Sequence, residues 1–207
     1  MEIDTGIDIK ELKCFSSVVE SRSFSRAARQ LNLTQPTVSN HIANLERKLG
    51  ICLVVRTTNE TYASDAGKVY YHYIKGSASL CEGETPDERR LREFDELYTT
   101  WKLASRKGYL YFEGNGIQGL ANLMASPDNY DFYQGRRTHA LKQFGEPVDS
   151  LLPMRLGQQA LEKFRQYNDI YQIAGAYVSI GKYLNAHGEY EQALDTLKRA
   201  LECVNDH

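Results

Sequence analysis

The 207-residue sequence predicts a mainly α-helical chain in two parts. Apolar residues recur at three- and four-residue steps through much of its length, the period of amphipathic helices. Short helices with clear start and stop signals crowd into the first third. A run of breakers and acids, from Cys81 through Gly83 and Pro86 to Glu88, then interrupts the helical pattern, because Gly and Pro end helices and carboxylates favour solvent. These observations place a first domain at 1–80, a linker at 81–87 and an α-helical domain at 88–207, sizes that suit two small domains.

Within the first part, Ile9, Leu12, Phe15, Val18 and Val19 fall on one stripe of a first helix, predicted as core. Ser21 or Ser23 caps a second helix, in which Phe24, Ala27, Ala28 and Leu31 form the apolar side while Arg22, Arg26 and Arg29 face out. The paired alanines permit a close helix crossing. Asn32 and Leu33 form the turn, and Thr34 caps a third helix with Pro36 early in it, where a missing N–H is harmless. Its apolar side is Val38, Ile42, Leu45 and Leu49; its polar side is Gln35, Thr37, Ser39, Asn40 and His41. Such short hydrogen-bonding side chains suit base edges in a DNA major groove, since Gln and Asn can bond adenine bidentately and a Thr methyl packs on thymine. An ordinary solvated helix face has the same composition, and the pattern alone leaves both readings open.

The ordered run Leu12-Lys13-Cys14-Phe15, Ser23-Phe24-Ser25-Arg26-Ala27-Ala28, Leu31, Thr34-Gln35-Pro36-Thr37-Val38-Ser39, Ile42, Leu45-Glu46, Leu49-Gly50, Leu53, Arg56 and Ala66-Gly67 resembles the DNA-binding head of LysR-type bacterial transcription regulators. The resemblance covers roughly residues 7–75. It implies a winged helix-turn-helix in which the helix opened by Thr34 enters the major groove of double-stranded DNA. The Thr34 to His41 face would then be the DNA-binding side, Thr34 included, with Gln35, Thr37, Ser39, Asn40 and His41 nearest the bases, and Arg26 and Arg56 would hold phosphates without reading sequence. The segment Thr57-Thr58-Asn59-Glu60-Thr61-Tyr62 departs from the basic wing usual in the family, which shifts the expected phosphate contacts toward Arg22, Arg26, Arg29, Arg47 and Arg56. The helix that joins family members into dimers begins here with Ser64 as cap and Val69, Tyr70, Tyr73 and Ile74 as its stripe, then meets Gly76-Ser77. A homodimer is therefore an open expectation.

The second part lacks the alternating strands and helices of the effector domain usual behind such a head. From Tyr177 onward, Ile180-Gly181, Leu184, Gly188, Tyr190, Ala193, Leu197 and Ala200 resemble one tetratricopeptide repeat, a helix-turn-helix of about 34 residues. Gly181, Ala193 and Ala200 are expected at the helix contact and Gly188 at the turn. An echo stands sixty positions earlier, where Tyr109-Leu110-Tyr111 and Leu120-Ala121-Asn122 match Asp169-Ile170-Tyr171 and Ile180-Gly181-Lys182. Two related helical units with an irregular insert over Ser126 to Pro153 are expected. The whole region is similar to the tetratricopeptide-containing sensor part of some bacterial two-component regulators, which implies a peptide or protein partner. The fold class expected for the chain is thus a winged helix-turn-helix domain followed by tetratricopeptide-like helical hairpins.

Charge is uneven. Residues 1–81 hold ten Lys/Arg and eight Asp/Glu, a net +2, whereas the remainder holds fifteen and nineteen, a net -4. That asymmetry fits one DNA-facing part and one that does not face DNA. Cys14, Cys52, Cys81 and Cys203 form no C-x-x-C pair and are expected as buried thiols in a reducing compartment. The start has neither the basic region nor the apolar run of a signal peptide, and nowhere do about 18 apolar residues run together. A cytoplasmic protein that binds no membrane is expected. His139, Glu113 and Asp131 come with no nucleophile elbow, phosphate loop or metal spacing, and Gly114-Asn115-Gly116 lacks the dinucleotide fingerprint, so no catalysis, metal or cofactor is expected. Tyr109, Tyr111, Tyr130, Tyr133, Tyr167, Tyr171, Tyr177, Tyr183 and Tyr190 suit interhelical packing with a polar tip at the surface. Two functions remain in view: a sequence-specific DNA-binding regulator, and a helical-repeat interaction or sensor module, with an engineered fusion of two family fragments as one origin.

Overall fold

The computed structural model describes residues 6–58, 60–77 and 83–205. The chain divides into two compact units, Met1–Leu80 and Cys81–His207.

The first unit opens with α1 (Ile9–Ser21), α2 (Phe24–Gln30) and α3 (Gln35–Leu49). Each start has a side-chain cap, because the first backbone N–H groups of a helix lack intrahelical partners. Asp8 accepts from the Lys10 N–H at 3.0 Å while Glu11 reaches back to the Asp8 N–H at 3.1 Å. Ser23, not Ser21, caps α2, and Thr34 caps α3. Arg22 and Asn32 take left-handed conformations between the helices, and Gly50 does so after α3. Phe15, Val18, Ala27, Val38, Ile42 and Leu45 are buried and form the core of this three-helix arrangement. One core assignment needs correction: Ile9 is 49% exposed. It begins α1, a turn before the helix reaches the core, and the buried face runs instead from Glu11 through Cys14, Phe15 and Ser17 to Val18.

Two short strands follow, β1 (Val54–Arg56) and β2 (Thr61–Ala63), paired antiparallel with Val54 opposite Ala63 and Arg56 opposite Thr61. Glu46 of α3 accepts from the N–H groups of Leu53 and Val54 at 2.7 and 3.0 Å, which fixes where the hairpin leaves the helix. Helix α4 (Asp65–Ser77) then packs back on α1, with Ser64 accepting from the Gly67 N–H at 2.9 Å. A Cβ on Gly67 would stand 2.0 Å from the Leu53 carbonyl oxygen. Glycine is required there by close backbone approach. Gly76 lies buried inside α4, which continues to Ser77, so it does not end the helix ahead of that point. Cys14 is buried as expected, but Cys52 is exposed at the loop before β1 and Cys203 is half-buried; Cys81 lies outside the described residues.

The second unit is helical throughout its described residues: α5 (Pro86–Lys107), α6 (Leu110–Leu123), α7 (Pro127–Lys142), α8 (Leu152–Tyr167), α9 (Ile170–Ala186) and α10 (Tyr190–Asn205). Helix α5 begins two residues inside the expected linker, held by a Thr85/Glu88 capping box, and Glu84 before it pairs with Arg92 at 2.9 Å. Helices α5, α6, α8, α9 and α10 pack each against the next. The sixty-residue echo has a structural counterpart. Gly108 and Asn168, sixty positions apart, both take left-handed conformations and end α5 and α8 ahead of α6 and α9.

The insert is not irregular throughout, as the sequence reading expected. Ser126 caps α7, whose first residue is Pro127, and a break in helical geometry falls at Arg137. Helix α7 escapes periodicity reasoning because Tyr130, Tyr133 and Leu141 are its buried residues, a face made largely of tyrosine. Gly181, Leu184, Ala193 and Ala200 are buried at the α9–α10 contact, Gly188 turns between those helices at φ +80°, and the Leu197 side chain lies over Gly181. Tyr190 departs from its expected packing role. It is 68% exposed at the start of α10. Tyr133 and Tyr183 are buried with tips donating to the Arg90 and Ser150 carbonyls, whereas Tyr167 and Tyr171 are exposed. No helix among the described residues is long and apolar enough to cross a membrane.

Candidate nucleic-acid interface

The polar side of α3 is turned away from the three-helix core, since Val38, Ile42 and Leu45 point inward. On the outward side Gln35 and Asn40 are exposed, and Thr37, Ser39 and His41 are partly covered. Thr34 and Thr37 engage each other: the Thr37 N–H donates to Thr34 Oγ1 at 3.3 Å, and their hydroxyls lie 2.8 Å apart. Thr34 is therefore a cap first, with its oxygen committed to the helix start. Gln35, Asn40 and His41 have no such commitment to the cap, and a helix presenting free amide and imidazole tips can form paired hydrogen bonds with base edges.

Arg26 is exposed on α2, where it has the freedom of a phosphate contact. Arg56 is arranged differently. Its guanidinium carbon lies 3.5 Å from the centre of the Phe24 ring, and its Nη2 donates to Ser39 Oγ at 2.9 Å. Stacking on an aromatic face and a directed N–H bond together fix a planar guanidinium. Arg56 thus links β1, α2 and α3, and its other N–H groups stay available to a ligand. Ser39 spends a lone pair on Arg56 and keeps its O–H to donate to a ligand.

Between these elements lies a shallow open depression of about 310 Å³, lined among others by Arg22, Phe24, Gln35, Arg56 and Glu60. The structure thus brings Gln35, Ser39 and Arg56 to one place, whereas Asn40 and His41 follow further along α3. Glu60 places an acid at the rim, in keeping with the absence of basic residues from the wing segment.

Three residues of consequence escaped the sequence reading. Phe24 was expected only as core, yet it carries Arg56. Glu46 anchors the hairpin to α3, and Lys48 anchors α3 to α1. Leu45-Glu46 belongs to the family-like pattern, but nothing local in the sequence tells that the Glu46 carboxylate accepts from backbone seven residues on.

Fold and surface together define a helix-turn-helix followed by a two-stranded wing, with the polar side of its second helix turned away from the core. Residues 9–68 match the family of bacterial regulatory helix-turn-helix proteins, lysR family, and residues 167–207 match a domain of unknown function (DUF5113). The chain is 37% identical over 65 residues to the probable cat1 operon transcriptional activator of Acinetobacter lwoffii, covering 31% of this chain and 22% of that protein. It is 29% identical over 100 residues to the RuBisCO operon transcriptional regulator of Allochromatium vinosum, covering 48% and 30%. Among solved structures, an H2O2-bound mutant of Corynebacterium glutamicum OxyR matches 34% of this chain and 22% of its own, at 28% identity and a TM-score of 0.33. The chain thus spans less than a third of the length of these relatives.

Proposed function

We propose that this chain is a transcription regulator that binds double-stranded DNA in a sequence-specific manner, with α3 in the major groove. One observation carries the reading: a helix-turn-helix matched over residues 9–68 to a DNA-binding family holds its unburied face in amide, hydroxyl and imidazole side chains beside a fixed arginine. Gln35, Ser39, Asn40 and His41 read bases, Thr37 adds a methyl to the same surface, Thr34 positions the helix, and Arg26 and Arg56 meet phosphates. Named activity in the relatives, transcriptional activation or regulation, fits this assignment. Such a regulator works in the cytoplasm, where the DNA is.

The helical unit serves as the sensing or docking part. Support comes from the tetratricopeptide-like register at Gly181, Ala193 and Ala200 and from the matched turns at Gly108 and Asn168. Regulation through a peptide or protein partner on that unit is the second reading, and it does not compete with the first.

The test is selection from a randomised duplex pool by the purified whole chain, followed by a salt titration on the recovered site. A recovered consensus, with affinity falling steeply as salt rises, is the expected result. A folded chain that enriches no sequence at low salt refutes the proposal.

A further inference from the structure

Helix α10 carries a row of apolar residues that the other described residues leave largely uncovered. Tyr190, Leu194, Leu197, Leu201 and Val204 are all exposed, Leu194 at 56% and Leu201 at 62%. They recur at alternating steps of four and three, the spacing that keeps side chains on one narrow seam of a helix and that characterises two-helix coiled packing. This seam borders the α9 contact: Ala193 and Ala200 make that contact from the neighbouring side of α10, and Leu197, 39% exposed, shares itself between the seam and Gly181 of α9. Exposed apolar rows of this length on a surface helix mark association sites, because isolated exposed apolar residues are common but aligned ones are not.

We propose that the seam pairs with the same seam of a second copy of this chain, antiparallel, about a two-fold axis. Charge complementarity selects both the partner and the direction. On the side of the seam away from α9 stand Glu191 and Lys198, seven residues apart and so two turns along the same edge. Among the described residues neither has an ion-pair partner, whereas Asp195 and Arg199, further round the helix, pair with each other at 2.9 Å.

In an antiparallel pair that sets Leu194 against Leu197 and Tyr190 against Leu201, edge meets like edge. Glu191 then faces Lys198 of the second copy, twice over by symmetry. A parallel pair would instead turn this charged edge toward the alanine side, where α9 lies and no opposite charge waits. An interface made from one patch meeting itself is the usual form of a closed homodimer. This inference concerns the protein alone and stands apart from the DNA-binding reading.

Sedimentation velocity on the whole chain, across roughly a hundredfold range of concentration, tests it. The parent is expected to pass from monomer to dimer, and the exposed-site double variant Leu194→Glu/Leu201→Glu to stay monomeric with unchanged helical circular dichroism. Lys198→Glu is expected to weaken the dimer about tenfold, since each edge then sets acid against acid. The exchange Glu191→Lys/Lys198→Glu should restore it. A parent that is monomeric throughout assigns the seam to a different partner and overturns the proposal. So does a dimer that survives the leucine double variant, or charge variants that dimerise as the parent does.

Discussion

Lys48 Nζ lies 2.9 Å from both carboxylate oxygens of Glu11, joining the last turn of α3 to the first turn of α1. The Glu11 side chain is only 5% exposed and also accepts from the Asp8 N–H, so one carboxylate caps α1 and anchors the candidate recognition helix. An acid at a helix start and a base at a helix end each complement the helix dipole. Removing one partner leaves the other charge poorly solvated, which costs more than the intact pair contributes. Glu11→Gln is expected to lower the stability of the first unit by about 1–3 kcal/mol, less than for a fully buried pair because Lys48 retains some solvent contact. Urea unfolding checks this through its midpoint. An unchanged midpoint would show the bridge to be ornamental.

Two glycines make opposite predictions. At Gly67 an added Cβ would meet the Leu53 carbonyl at 2.0 Å, backbone against backbone, with no flexible side chain to yield. Gly67→Ala should therefore separate α4 from the hairpin and destabilise the first unit by roughly 3 kcal/mol or more, at the upper end of overpacking effects. At Gly135, inside α7, nothing stands within 4 Å of the added carbon. Gly135→Ala should raise the stability of the second unit by about 0.5–1 kcal/mol through reduced backbone freedom in the unfolded chain. Thermal midpoints of the two variants must move in opposite directions.

What was legible in the sequence was what is encoded locally. The caps Ser23 and Thr34, the turn at Asn32, the close-packed Ala27 and Ala28 and the left-handed Gly188 all depend on a few adjacent residues, and each has its expected structural place. Ile9 and Tyr190 failed because periodicity marks a face without saying how far along the helix that face is covered. Helix α7 was missed because its buried residues include two tyrosines, an ambiguous signal for a core. The anchoring of Arg56 on Phe24 joins residues thirty-two positions apart and has no local signature. Tertiary proximity, rather than residue type, decides whether such an arginine is free or fixed.

Alkaline titration provides a third check. Burial, and then the hydrogen bond Tyr71 donates to Glu20 at 2.8 Å, push its phenol up to about 12 from an ordinary 10.0. Burial, followed by the nearby charge of Glu93, pushes Tyr133 up to about 12 as well. The folded chain therefore holds these protons more tightly than the unfolded chain. Their contribution to stability is whole below pH 10 and is lost as pH rises toward 12. Phenolate absorbance in the folded chain should show a late-titrating class that Tyr71→Phe and Tyr133→Phe each diminish. If both variants leave the titration curve unaltered, the two phenols are not held as described.

The link from Phe24 through Arg56 to Ser39 separates charge from position at the proposed DNA-binding surface. If Arg56 acted only as a positive charge, Arg56→Lys would preserve binding, because a lysine releases a counterion as an arginine does. An ammonium, however, has neither the flat face that lies on Phe24 nor the rigid fork that reaches Ser39. Arg56→Lys is therefore expected to leave the salt dependence intact while lowering affinity for the preferred site by about 1–2 kcal/mol, the scale of one lost base contact. Phe24→Leu should act in the same direction by loosening the guanidinium. Arg56→Ala should do both, weakening binding to preferred and random duplexes alike and reducing the salt slope by about one counterion. Ser39→Ala should lower preference for the selected site with little effect on random DNA. These four variants thus fall into two classes when affinity is measured on both duplexes over a salt series, with Arg56→Ala alone lowering the salt slope. Identical behaviour of Arg56→Lys and the parent on the preferred site would reduce Arg56 to a simple phosphate contact, and an unchanged salt slope in Arg56→Ala would remove it from the phosphate backbone altogether.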